Sequence, residues 1–140
     1  MGIAVRGLCP LIQVFDMRTS LRFYRDVLGF AEVAKSGDGD DVGWAWLRHD
    51  DACLMLNTAY DDGERPAAPD PARVAAHKDT ILYFGCEDPD GAYAHLVAHG
   101  VVAERPSVAP YGMKQLYATD PDGYGLCFQR RADPSRDGTV

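Results

Sequence analysis

One order of elements occurs twice along this chain, and that repeat constrains its fold more than any other feature. Setting FDMRTSLRFYRDVLGF, from Phe15, over EDPDGAYAHLVAHGV, from Glu87, aligns a strand end, an aspartate, a helical segment and a closing glycine. The second copy is one residue shorter between its aspartate and its glycine. In the first copy Leu8 to Phe15 reads as a strand, with Pro10 marking an edge or an early position. Asp16 to Ser20 offers capping side chains, and from Ser20 the residues Leu21, Phe23, Tyr24, Val27 and Leu28 recur at helical spacing up to Gly29. Three strands follow as a meander, Phe30 to Lys35, Val42 to Arg48 and Ala52 to Thr58, separated by SGDGDD and by His49-Asp50-Asp51.

The second copy predicts a strand over Thr80 to Cys86, a turn at Asp88-Pro89-Asp90-Gly91 and a helix over Ala92 to His99 closed by Gly100. Its further strands are expected around Val101 to Glu104, Met113 to Thr119 and Gly125 to Gln129. The fold class is therefore α+β, two βαβββ modules at 8–58 and 80–129. The stretch 59–79, which holds DDGERPAAPDPAR, reads as a linker because it carries neither periodicity, and the polar tail 130–140 reads as frayed.

A chain of 140 residues is long enough for one domain with a hydrophobic core and no disulfide or structural metal. A net charge of -7 disfavours a phosphate backbone, so no nucleic acid is expected as partner, and it favours neutral or cationic small ligands. No membrane is expected either, since no apolar run approaches the length of a span. The amino terminus MGIAVRGLCPLIQ has none of the marks of a secretory signal, which predicts a cytoplasmic protein. Cys9, Cys53, Cys86 and Cys127 are widely spread with no CxxC among them, and a reducing compartment would keep them as buried thiols.

Few side chains point to chemistry on their own. His95 and His99 stand at i, i+4 on one helix, a zinc-holding spacing, but no third donor is evident and a solvated helix face accounts for them better. His49 lies in a turn and His77 in the linker. No base or cation stands near Cys9 or Cys127 to activate a thiol, and no helix with a P-loop lysine follows the glycine turns.

The helix end of FDMRTSLRFYRDVLGF and the turn of TDPDGYGLCF together resemble the vicinal oxygen chelate superfamily, which holds glyoxalase I, extradiol dioxygenases and the fosfomycin and bleomycin resistance proteins. The resemblance covers residues 8 to 129 and implies curled mixed sheets with helices on the convex side, two cups facing one another around a ligand pocket, and a homodimer. It also implies where metal-dependent members place their ligands: Cys9, Met55, Ile81 and Cys127. An isoleucine cannot ligate, a methionine is soft and neutral, and two thiols without an imidazole leave a zinc site incomplete. No metal and no cofactor are therefore expected, and Cys127 reads as a small apolar residue in a pocket wall.

If those four positions face the cup, strand alternation brings Leu11, Gln13, Cys53, Asn57, Tyr83 and Gln129 with them. Pairing across His49-Asp50-Asp51 sets Leu47 against Leu54 on the core face, and Trp46 against Met55 and Trp44 against Asn57 in the cup; the competing placement of both tryptophans is the core or a dimer seam. Tyr111, Gly112 and Lys114 fall where family members often carry a loop over the pocket mouth, Lys114 either meeting a ligand anion or merely solvated. The parity of Gln115 and Tyr117 stays open. The expected activity is metal-independent binding of an aromatic or cationic small molecule, nearest the bleomycin-resistance-like branch, with no catalytic residue assigned. The competing readings are a metal-dependent lyase, isomerase or dioxygenase, and a soft-metal or thiol-reactive protein built on Cys9 and Cys127.

Overall fold

The computed structural model describes residues 1–60 and 64–138, so part of the acidic stretch after Tyr60 and the last two residues lie outside the described residues. The chain divides into two compact units, Met1–Ala68 and Pro69–Val140.

The first unit opens with β1 (Leu11–Gln13), then α1 (Met17–Leu21), which continues as a wider π-turn over Arg22–Val27, and then β2 (Ala31–Lys35), β3 (Trp44–His49) and β4 (Ala52–Asn57). The strands lie in the order β1-β4-β3-β2, with β1 and β4 parallel and the other pairs antiparallel. A parallel first and last strand requires a crossover, and α1 with the meander supplies it. The helix begins at Met17, earlier than the periodicity suggests, because the Asp16 side chain accepts from the Arg18 backbone N–H. Its apolar residues need not keep strict spacing. The π-turn lets Phe23 and Tyr24 follow Leu21 into the core, and Gly29, at φ 91°, ends it in the left-handed region.

Met17, Leu21, Tyr24, Ala45, Leu47 and Leu56 have no exposed surface and form the core of this unit with Ile12, Val14, Phe30 and Leu54. The Leu47–Leu54 pairing falls as the sequence predicts. At the β2 edge Arg25 grips both oxygens of Asp40 at 2.9 and 3.0 Å and also reaches Glu32, tying the SGDGDD turn to the helix.

The second unit contains α2 (Pro71–Ala76) with a 3-10 turn over His77–Asp79, then β5 (Ile81–Gly85), α3 (Pro89–Ala98), β6 (Ser107–Val108), β7 (Met113–Thr119), β8 (Gly125–Arg131) and α4 (Pro134–Asp137). Its strand order, β5-β8-β7-β6, and its pairing directions repeat those of the first sheet. Leu96, Leu116 and Leu126 are buried between α3 and the sheet, and Phe84 stacks on Phe128 beside them.

Four expectations change here, the first being the turn at Asp88-Pro89-Asp90-Gly91: α3 begins at Pro89 and not at Ala92, with the Asp88 side chain accepting from the Gly91 backbone N–H. Residues 71–79 are not linker: Asp70 caps α2 and Pro71 fills its first position, while His77 stacks on Tyr124 at 4.1 Å and its Nδ1 donates to the Asp122 carbonyl oxygen at 2.6 Å. The second strand of this module is Ser107–Val108 and not Val101 to Glu104, which instead approaches β7 through a bridge from Ala103 to Ala118. The tail as far as Gly138 is not frayed, since α4 carries Asp137 to Arg130, with contacts of 2.8 and 2.9 Å, and to Lys114.

Candidate functional site

Each sheet has one face covered by helix and one turned away from it, and strand alternation decides which residues occupy the second. In the first unit the register Trp44↔Asn57, Trp46↔Met55 and Arg48↔Cys53, continued by Leu11↔Met55 and Gln13↔Asn57, places all of these on the face opposite Leu47 and Leu54. Both tryptophans are half-buried there. They do not fill the core. The Trp46 indole Nε1 donates to the Cys53 sulfur at 2.9 Å, and the Asn57 amide donates to Gln13 Oε1 at 3.1 Å. These contacts fix the ring of Trp46 and the amide pair.

Cys9 precedes β1 and reaches the same face, where its thiol lies against the Cys53 sulfur. Burial, reinforced by that sulfur, pushes the Cys9 thiol up to about 11. Burial also opposes ionisation of Cys53, but the thiol of Cys9, the indole N–H of Trp46 and the charge of Arg48 outweigh it and hold Cys53 below its ordinary value. Arg48 was absent from the residues expected in the cup. Its place two residues after Trp46 was the available signal.

In the second unit Ile81, Tyr83, Gln115, Tyr117, Cys127 and Gln129 share the face turned from α3, which settles the parity of Gln115 and Tyr117. Cys127 pairs with Tyr83 on one side and Tyr117 on the other, and the two phenol oxygens meet at 3.4 Å. The cysteine has no exposed surface, and burial raises its pKa. Tyr117 is raised as well, first by its bond with Tyr83 and then by burial. Gln115 carries the network onward: its Oε1 accepts from Tyr111 at 3.0 Å and from Tyr117 at 3.3 Å, and its amide nitrogen donates to Gln129 at 3.0 Å. Tyr83 and Tyr111 remain 52% and 68% exposed, so this is an open face of phenols and amides. At one end of it a pocket of about 320 Å³ opens between Ile81, Tyr117, Thr119, Val102, Glu104 and Lys78.

Lys114 does not belong to this face. It alternates with Gln115 and therefore points to the helix side, where its Nζ sits 2.6 Å from Asp90 and 3.2 Å from Asp137. The glycine turn nearby is structural too: Asp120 Oδ1 accepts from the backbone N–H groups of Asp122 and Tyr124 at 2.8 and 2.9 Å, which folds TDPDG into the corner between β7 and β8. His99 Nδ1 donates to the His95 carbonyl oxygen at 2.8 Å, which uses one ring nitrogen for the helix end.

The donor positions do not suit a hard divalent ion. Ile81 offers no donor, Cys127 is sealed beneath two tyrosines, and Met55 is soft and neutral, so these residues do not fit such an ion. Among the described residues no three His, Cys, Asp or Glu side chains are placed to hold a metal ion together. Nor, among them, is any helix long and apolar enough to cross a membrane.

The two repeated sheets with their crossover helices define the class to which the chain belongs. A profile of the Glyoxalase/Bleomycin resistance protein/Dioxygenase superfamily matches residues 8–128, and the protein is a member of that superfamily. Its sequence is 31% identical over 115 residues to the uncharacterized protein YaeR of Escherichia coli, covering 79% of this chain and 84% of that one. Among solved structures it superposes with TM-score 0.66 on TnmS3, an antibiotic binding protein from Streptomyces sp. CB03234, at 22% identity over 94% of this chain and 99% of that one. It superposes with TM-score 0.63 on a bleomycin-binding protein from Streptomyces verticillus complexed with copper(II)-bleomycin, at 18% identity and with 94% and 99% covered. At these identities the likeness carries the fold.

Proposed function

We propose that this protein binds a small aromatic molecule, and that the tryptophan face of the first unit is where the ring sits. The observation that carries the reading is the placement of Trp44 and Trp46 on one sheet face with Met55, Asn57 and Arg48. Two indoles held half-buried by sheet pairing, one of them pinned through its N–H, present area for stacking at little entropic cost. Each such contact contributes about 0.5–2 kcal/mol. Arg48 at the end of the row suits an acidic or hydrogen-bond-accepting group on the ligand better than a second cation, so a flat aromatic with a polar substituent fits better than a bare cation. The antibiotic-binding relatives of the same fold support sequestration as the activity.

The residues at the expected metal positions favour binding without a hard metal ion over a lyase, isomerase or dioxygenase reaction. A homodimer in the cytoplasm is the setting we infer, supported by the habit of the superfamily and by the apolar side chains of Ile3, Val5, Leu8 and Leu11 left exposed at the start of the chain. Titration of the purified protein with a panel of aromatic antibiotics, followed by tryptophan emission with and without a chelator, tests the reading. Saturable quenching indifferent to the chelator is expected. Binding or turnover that disappears with the chelator and returns with a divalent ion would overturn it.

A further inference from the structure

Cys53 on β4 and Cys9, two residues before the parallel strand β1, are two free thiols, both half-buried and so reachable by a small molecule. The β1–β4 register, Leu11↔Met55, carried back by two residues sets Cys9 opposite Cys53; the Met55 N–H bond to the Pro10 carbonyl at 2.8 Å anchors the residue next to Cys9, and the two thiols are in side-chain contact. Adjacent strands run about 4.8 Å apart, inside the roughly 4.4–6.8 Å between Cα atoms that a disulfide spans. The indole N–H of Trp46 points at one of the two sulfurs.

We propose that Cys9 and Cys53 are a redox modification site, oxidised by hydroperoxides to an intramolecular disulfide, and that the change is felt by Trp46 on the ligand face. The roles of the two sulfurs differ. The Trp46 indole N–H donates to the Cys53 sulfur at 2.9 Å and Arg48 stands directly across from Cys53 in the β3–β4 pairing, so Cys53 is the better placed of the two to react as a thiolate. The Cys53 thiolate attacks one oxygen of the peroxide, forming an S–O bond as the O–O bond breaks, and the departing alkoxide or hydroxide takes a proton. Cys53 is then a sulfenic acid and the peroxide has been reduced by two electrons. The Cys9 sulfur gives up its proton and attacks Cys53, forming the S–S bond while the S–O bond breaks and hydroxide leaves as water. Two thiols and one hydroperoxide thus give one disulfide, one alcohol or water, and one further water. A dithiol reductant reverses the step by exchange.

Cys86 and Cys127 serve as internal controls. Both are raised by burial, and Cys127 is covered completely. The proposal does not require the aromatic-ligand reading, because its readout is the thiol count and mass of the protein alone. The reduced full-length protein is treated with hydrogen peroxide, alkylated, and examined by intact mass and peptide mapping. The expected result is loss of two hydrogens with a linked Cys9–Cys53 peptide pair, two thiols still alkylated, reversal by dithiothreitol and a shift in tryptophan emission. The Cys9→Ser variant is expected to stop at a sulfenic acid on Cys53 that dimedone traps, while Cys53→Ser leaves Cys9 as a thiol. Oxidation of Cys86 or Cys127 ahead of the pair, disulfides only between chains, or Cys9 and Cys53 still alkylated after peroxide has consumed other groups would each overturn it.

Discussion

Lys114 Nζ lies 3.2 Å from a carboxylate oxygen of Asp137 whose side chain is only 1% exposed, on the helix side of the second sheet. The lysine therefore holds α4 to the fold and does not face a ligand. Lys114→Met is expected to lower unfolding free energy by about 1–3 kcal/mol, the range for removing one partner of a charged hydrogen bond, while leaving ligand affinity within twofold. Denaturant titration beside fluorescence binding checks both halves, and a large affinity loss at unchanged stability would return Lys114 to the site.

Cys127 gives a second prediction, because Tyr83 and Tyr117 shut it from solvent from either side. In the native protein it is expected to resist a bulky thiol reagent that reaches Cys9 and Cys53. Tyr83→Ala removes half of the cover, and labelling at Cys127 should rise on the order of tenfold or more as opening becomes cheaper. Peptide mapping after timed labelling gives the rates. Equal rates in the two proteins would mean that the tyrosines are not the barrier.

The repeat, the first sheet and the pairing of Trp44 and Trp46 were legible in the sequence, since alternation and a tight turn fix parity together, and the second sheet was legible except for its short edge strand, Ser107–Val108. The helix starts were less legible, and the dipeptide Asp-Pro shows why. Asp70-Pro71, Asp88-Pro89 and Asp133-Pro134 all open helices with the aspartate as cap, yet only α3 carries an apolar pattern, and that pattern sets its start at Ala92 and leaves Asp88 to Gly91 as a turn. Asp120-Pro121 looks the same and forms a turn, because the chain continues through Gly123 at φ 89°. Lys114 was misplaced because the length of the turn before β7 sets the parity of the strand, and nothing local records it. The Cys9–Cys53 contact depends on a parallel pairing across more than forty residues, a relation carried by the fold and not by spacing.

Trp44 and Trp46 are expected to contribute unequally. Trp44→Ala should weaken an aromatic ligand by about 5- to 30-fold, the equivalent of about 1–2 kcal/mol of lost stacking. Trp46→Phe keeps an aromatic face but loses the N–H that donates to Cys53, so affinity should fall by less. Arg48→Ala should reduce binding of ligands with an anionic substituent and spare their neutral analogues. Isothermal titration with matched ligand pairs separates these effects, and indifference to all three substitutions would remove the ligand from this face.

Gly123 is set by a close approach as well as by its dihedral angle. A Cβ there would lie 2.5 Å from the Val74 carbonyl oxygen, at a φ of 89° that side chains avoid. Gly123→Ala should cost roughly 1–3 kcal/mol and loosen α2 first. Hydrogen exchange over 71–79 is the sensitive readout, and unchanged protection there would show that α2 does not depend on the turn.

The Arg25–Asp40 pair sets an acid limit on the first unit, and its sign follows from the direction of the shift. Hydrogen bonds from Arg25, opposed by burial, hold the Asp40 carboxyl down at about 2. In the unfolded chain the same group titrates at about 3.9, so the folded state binds its proton less readily and gains stability above that value. The gain is fully present at neutral pH and is lost as pH falls from about 4 through about 2. Asp40 is 38% exposed, so solvent screens the pair and the effect is modest and sensitive to salt. Asp40→Asn should therefore be less stable than the native protein at pH 7 in low salt, with the difference shrinking in high salt, falling steeply between about pH 4 and about pH 2 and vanishing below that. Urea unfolding of both proteins across that range measures it, and a difference that persists unchanged in acid would show that Asn fails through geometry and not through charge.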